Sequence, residues 1–186
     1  MKPIDFSGFA GLLLADGRPF TFKGITWPGF ETDAGVLIGL AQQRLDFFLD
    51  FLRAEGFNAI RLPIAHQSVL DNARVPRASV DRRLNTGFFD EADADQPQPV
   101  GIRYRDALRL VARAAAERRL LLIVASQRLR ADAPTSSLWY DAKLGPDEES
   151  VGRSWDLLAE ALCGHWNVAG VDLHPEPLLP TGGAGR

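Results

Sequence analysis

Apolar and polar positions alternate along this chain in blocks, and the blocks predict its elements. Residues 42–55 carry Leu45, Phe48, Leu49 and Leu52 at three- and four-residue spacing, which puts them on one helical face. Gly56 follows as a residue that accepts the left-handed conformation cheaply and so ends that helix. A second helix is predicted over 104–119, with Leu108, Val111, Ala112 and Ala115 on one stripe. A third runs over Glu148–Leu162, with Val151, Trp155, Leu158 and Leu162 together. Between the helices lie short apolar runs of strand length: 23–27, 58–62, 120–124 and 167–173. The run Leu120-Leu121-Leu122-Ile123-Val124 has no polar member, as expected for a parallel strand covered on both sides. Upstream, Leu12-Leu13-Leu14 and Pro19-Phe20-Thr21-Phe22 flank Asp16-Gly17, a tight-turn pair, and read as a hairpin that could close the bottom of a barrel. Residues 64–102 read as irregular, broken by Asp71-Asn72, Pro76, Asn85-Thr86-Gly87 and Gln96-Pro97-Gln98-Pro99.

The order is therefore a hairpin followed by β, α, β, α, β, α, β. Such alternation means a parallel sheet with covering helices. A doubly wound sheet and half a (β/α) barrel both satisfy it.

Composition narrows the function classes. The chain has 186 residues, 46% hydrophobic and 24% charged, with a net charge of -3 and a pI of about 5.6. The length fits one domain. The acidic balance argues against nucleic acid, whose partners are basic. Arg103, Arg105, Arg109, Arg113 and Arg118 are interleaved with Asp106 and Glu117, and read as a solvated helix face. No segment reaches the roughly 18 apolar residues of a membrane span. The short run ending at Asp16-Gly17 makes a poor secretory signal, which leaves an intracellular protein or a start further upstream. The lone Cys163 reads as a small buried apolar residue near a helix end. Asp90, Glu91, Asp93 and Asp95 cluster without the glycine and terminal glutamate of a calcium loop, and read as a solvated loop. No His-x-x-x-His spacing occurs, and no nucleotide loop follows the first strand.

In a barrel the loops after the strands build the active face. Trp27 follows the first strand. Arg61 ends the second, with His66 and Gln67 beyond it. Gln127 and Arg128 follow the third, and Trp139 and Tyr140 lie in its loop, where aromatic faces suit sugar rings. Glu176 follows the fourth. By itself Glu176 reads as a solvated turn carboxylate.

Several segments resemble glycoside hydrolase family 5, the cellulase-like barrels. Gly24-Ile25-Thr26-Trp27-Pro28-Gly29-Phe30-Glu31-Thr32 is similar to that family's first-strand segment. Gly56-Phe57-Asn58-Ala59-Ile60-Arg61-Leu62-Pro63 is similar to its second, continued by His66-Gln67-Ser68-Val69-Leu70. Leu138-Trp139-Tyr140 matches a motif after strand three. Trp166-Asn167-Val168-Ala169-Gly170-Val171-Asp172-Leu173 followed by Glu176-Pro177 resembles the strand-four motif. The resemblance implies a partial (β/α)8 TIM barrel, strands one to four, as a single truncated catalytic domain over 1–186 with a disordered glycine-rich tail at 178–186. It implies a retaining glycosidase acting on β-glucan-type polysaccharide or oligosaccharide, in a family usually secreted, with no metal or organic cofactor. Glu176 would be the acid/base and Arg61 would orient the nucleophile. Trp27, His66, Gln127, Trp139 and Tyr140 would meet the substrate. The nucleophile, expected after strand seven, has no counterpart here. Proline stands at 175 in place of the family's asparagine, and Ala125-Ser126-Gln127-Arg128 in place of Asp-x-His-Arg. These departures favour a rival reading, a non-catalytic remnant that binds carbohydrate or protein. Open edge strands further predict self-association.

Overall fold

The computed structural model describes residues 2–90, 100–136 and 138–173. Pro175, Glu176 and the glycine-rich tail therefore lie outside the described residues, as do Glu91, Asp93 and Asp95.

The chain opens with a three-stranded antiparallel meander, β1 (Phe6–Phe9), β2 (Leu12–Ala15) and β3 (Arg18–Pro19). Asp16-Gly17 makes the predicted tight turn, both residues at positive φ (48° and 75°). A second such turn at Ala10-Gly11 (49° and 79°) adds β1, which the hydrophobic pattern did not show, while β3 is only two residues long. Phe6 at the start of the meander and Phe20 and Phe22 after it pack on one another with ring centroids 5.0–5.8 Å apart. The chain leaving the meander is stitched to the start of the second core strand: the Asn58 amide donates to the Thr21 carbonyl and accepts from the Lys23 N–H, both at 2.8 Å.

Four parallel strands follow: β4 (Gly24–Thr26), β5 (Ala59–Ala65), β6 (Leu121–Arg128) and β7 (Val168–Asp172). They pair in sequential order β4-β5-β6-β7. This order decides between the two architectures the sequence left open. A doubly wound sheet reverses its strand order at a switch point. A sheet that advances one strand at a time through crossovers of one hand keeps its helices on one side and curls towards a barrel.

Helices α1 (Leu45–Ala54), α3 (Tyr104–Glu117) and α4 (Glu148–Leu162) are the three crossovers. Helix α2 (His66–Asp71) lies within the stretch read as irregular, beside 3-10 turns at Arg77–Ser79 and Thr86–Phe88. Six residues are too few to display a helical period, so the pattern could not reveal α2. It stops at Asn72, in the left-handed region at φ 46°. Gly56 ends α1 as expected: its N–H donates to the Arg53 carbonyl and that of Phe57 to the Leu52 carbonyl, the paired bonds of a glycine-terminated helix.

The start of α1 is held from a distance. Arg44 at its N-cap supplies no side-chain capping bond to the helix backbone. Asn85, forty positions away, accepts from the Leu45 N–H at 2.8 Å and donates to the carbonyls of Leu40 and Gln43 at 2.8 and 2.9 Å. Helix α4 is capped locally: the Asp147 carboxylate accepts from the Ser150 N–H, and Glu148 and Glu149 complement the helix dipole.

Strand register sorts side chains between two faces, because paired residues in a parallel sheet point the same way. Ile25, Ile60 and Leu122 point to the helices, as do Leu62, Ile64 and Val124, and they join the core with Leu49, Leu108, Val111 and Leu158. Burying a large apolar side chain of this kind contributes about 1.5–3 kcal/mol. Thr26, Arg61, Ile123 and Gly170 form one layer on the opposite, inward face, with Pro63, Ala125 and Asp172 in the next layer. The inward Ala59, Leu121 and Ala125 are buried. The exposed apolar surface of the edge lies instead on the outer flank of β7, at Val171 and Leu173. A cavity of about 300 Å³ opens there between Val168, Val171 and the Trp155, Leu158 and Leu162 side of α4. Cys163, expected to be buried, is exposed because it caps the end of α4, past the buried stripe.

Candidate functional site

The inward face gathers a polar cluster at the C-terminal ends of β5, β6 and β7. Arg61, expected to end its strand, is the third of seven residues of β5, which runs on through Pro63 to Ala65, and it rises from the middle layer. Its Nε donates to Asp172 Oδ2 at 3.0 Å, and its Nη2 lies 3.0 Å from the same oxygen. Nη1 and Nη2 donate to Gln127 Oε1 at 3.2 and 3.1 Å. All three guanidinium nitrogens are thus engaged, which fixes the plane of the group. The ion pair is partly open to solvent, with side-chain exposures of 23% and 32%. Ala125, in register with Asp172, leaves the space through which the arginine reaches upward. A planar cation flanked by a carboxylate and an amide can hold a carboxylate or sugar hydroxyls placed above it.

Arg61 and Gln127, both read from sequence as site residues, are therefore brought together. Asp172 joins them and was missed. The available signal was a lone carboxylate inside an otherwise apolar parallel strand, whose parity turns it inward. Trp139 and Tyr140 meet each other edge to face at 4.7 Å in the loop after β6, and Trp139 is 44% exposed. Glu176 lies outside the described residues, four positions beyond Asp172.

Trp27 and His66 are placed elsewhere. Trp27 follows Thr26, so its side chain turns to the helix face, where it is 7% exposed and packs on Phe48 at 5.1 Å. Its indole N–H donates to the Ile38 carbonyl. The motif around it builds a pinned loop. The Gly29 N–H donates to the buried Glu31 carboxylate at 2.7 Å, Thr32 Oγ1 donates to the Gly29 carbonyl, and the buried Tyr104 hydroxyl donates to the Phe30 carbonyl. Burial, together with the nearby Glu31 charge, pushes the Tyr104 phenol far up and keeps it protonated as a donor. Gly29, at φ 140°, passes so close to the 36–38 backbone that a Cβ would fall 2.2 Å from the Val36 oxygen. The similarity of this segment to the first-strand motif thus coincides with loop scaffolding, and Trp27 is its prop.

His66 is fully buried behind the sheet, between Ser126 of β6 and Ser154 of α4, with its ring edge to face with Trp155. Ser154 commits its hydroxyl proton to the Val151 carbonyl, so it accepts from His66 Nδ1. Nε2 then accepts from Ser126 Oγ at 2.8 Å. Burial lowers the His66 pKa to about 4, so the ring is neutral at physiological pH. A serine–histidine contact is the unit of nucleophilic hydrolysis. Here, with His66 fully buried and Ser126 nearly so, it ties α2 and α4 to the sheet.

Among the described residues, no group of three histidine, cysteine or acidic side chains is placed to hold a metal, and no helix is long and apolar enough to cross a membrane.

No family model matches the chain. It is 30% identical over 161 residues to an endoglucanase of Paenibacillus polymyxa, covering 87% of this chain and 36% of that protein. Its fold superposes on the Pyrococcus horikoshii endocellulase in complex with cellotetraose (TM-score 0.76, 23% identity, 95% of this chain and 44% of the other). It also superposes on the catalytic domain of the major endoglucanase of Xanthomonas campestris pv. campestris (TM-score 0.71, 24% identity, 91% and 45%). The chain spans about a third of the curated relative and under half of these solved structures. The likeness bears on the fold: the four parallel strands and their three crossover helices match part of a (β/α) barrel of the kind these proteins have.

Proposed function

We propose that this chain is the N-terminal half of a retaining β-glucan hydrolase of the glycoside hydrolase family 5 type. The observation that carries the reading is the Arg61–Asp172–Gln127 cluster at the strand ends, on a barrel similar to endoglucanases. Glu176, next along the chain from β7, serves as general acid and then general base. A retaining enzyme sets its two carboxyl groups about 5 Å apart, so that the second attacks the sugar directly. That second carboxylate comes from the strands this chain does not contain, and Arg61 orients it. The exposed Trp139 and its neighbour Tyr140 bind the glucan chain, and the Gln127 amide meets its hydroxyls. Trp27 contributes by anchoring a loop and His66 by tying α2 and α4 to the sheet. The substrate is a β-linked oligosaccharide or polysaccharide; the cellotetraose bound to the Pyrococcus horikoshii protein supports that class.

The test joins this chain to the remaining strands of an endoglucanase barrel and measures hydrolysis of soluble β-glucan. Activity is expected, and Glu176→Gln should lower it by about a thousandfold or more, since both the protonation of the leaving group and the deprotonation of the attacking water are lost. Unchanged turnover in that variant refutes the acid/base role. A second reading draws on Pro175 and on the Gln127 contact, which occupies two of the arginine nitrogens: a remnant that binds β-glucan without cleaving it. Cellotetraose binding without turnover by the joined protein would select it.

A further inference from the structure

We infer that Asp172 is the positioning residue of this site, holding Arg61 in the one orientation from which its guanidinium can serve a reacting group; the inference rests on the glycosidase reading above. Two guanidinium nitrogens converge on one carboxylate oxygen, Asp172 Oδ2, each at 3.0 Å. Gln127 adds a neutral acceptor at 3.1–3.2 Å on the far side. Three of the five N–H groups of the arginine donate hydrogen bonds here, and the second N–H of Nη1 has no partner among the described residues. An arginine held by one acceptor on each of two edges presents that remaining donor in a fixed direction. Without Asp172 the side chain keeps only Gln127, a single acceptor that permits rotation about the Nη1–Nη2 edge. The partners come from three different strands, so the arrangement exists only when β5, β6 and β7 are in register. Ala125 beside Asp172 brings no competing acceptor.

Asp172 acts here through Arg61 and not by touching the sugar, which gives the test its form. Solvent exchange of the Arg61 Nε–H is followed by nitrogen-15 NMR in the chain as it stands, the signal being assigned by its loss in Arg61→Lys. Slow exchange is expected in the wild type, and Asp172→Ala should speed it by about tenfold or more, with partial rescue in Asp172→Asn, which keeps an acceptor without its charge. Cellotetraose affinity is then measured by calorimetry in a double-mutant cycle. Asp172→Ala is expected to weaken binding about tenfold when Arg61 is present and to have no further effect in an Arg61→Met background. Equal losses in both backgrounds, or an unchanged Nε–H in Asp172→Ala, would overturn the positioning role and leave the glycosidase reading standing. Wild-type protein that fails to bind cellotetraose would remove the sugar-site reading and this role with it.

Discussion

The buried histidine makes a sharp prediction about pH. His66 sits between two serine hydroxyls with both ring nitrogens occupied, and burial lowers its pKa from 6.5 to about 4. In the unfolded chain the same ring takes a proton near its ordinary value. Between those two values the unfolded state therefore binds more protons than the folded one, and stability must rise with pH. The contribution is fully present above about pH 6.5 and is lost as pH falls towards 4. The full shift corresponds to about 3 kcal/mol, and from about pH 7 to pH 5 the loss is about 2 kcal/mol. Other groups titrate over part of that window, so the measurement is a difference. Urea unfolding at several pH values is compared between wild type and His66→Gln, which keeps polar contacts but cannot titrate. The variant should be less stable at neutral pH and should lose about 2 kcal/mol less than wild type on acidification to about pH 5. Parallel curves would refute the reasoning, and so would an NMR titration in which the His66 ring takes up its proton near pH 6.5.

Two further outcomes are expected. Asn85→Ala removes two buried hydrogen bonds and one part-buried one and leaves the Leu45 N–H and the Leu40 and Gln43 carbonyls without this partner, so it should cost about 2–4 kcal/mol in thermal or chemical unfolding. A loss below about 0.5 kcal/mol, the level of an ordinary surface change, would show that the start of α1 does not depend on it. Trp139→Ala should leave stability within about 0.5 kcal/mol, because the ring is 44% exposed, yet weaken cellotetraose binding by about three- to tenfold through lost stacking; unchanged affinity by calorimetry counts against the aromatic platform.

The division between what could be read from the residues and what needed the folded chain follows the range of the forces involved. Periodicity is a local property, so the amphipathic stripes of α1, α3 and α4, the apolar run of β6 and the turn at Asp16-Gly17 were legible directly. Gly56 was legible for the same reason, since the left-handed conformation it adopts is decided within a few bonds. Gln127 was also marked in advance by its place near a strand end, and Arg61 was marked although its strand runs on past it to Ala65. Strand order was not, because alternation of β and α is the same in a doubly wound sheet and in a barrel; only the hydrogen-bonded sequence β4-β5-β6-β7 separates them. Short elements such as α2 and β1 carry too few residues for a period to show. The faces of Trp27 and His66 depended on register and on what packs behind the sheet, and one residue of parity takes a side chain from the mouth of the barrel to its helix layer. Asp172 is the reverse case: its apolar neighbours marked it only as an odd carboxylate in a strand, and its meaning comes from Arg61, 111 positions away, brought within 3.0 Å by a sheet that no local segment encodes.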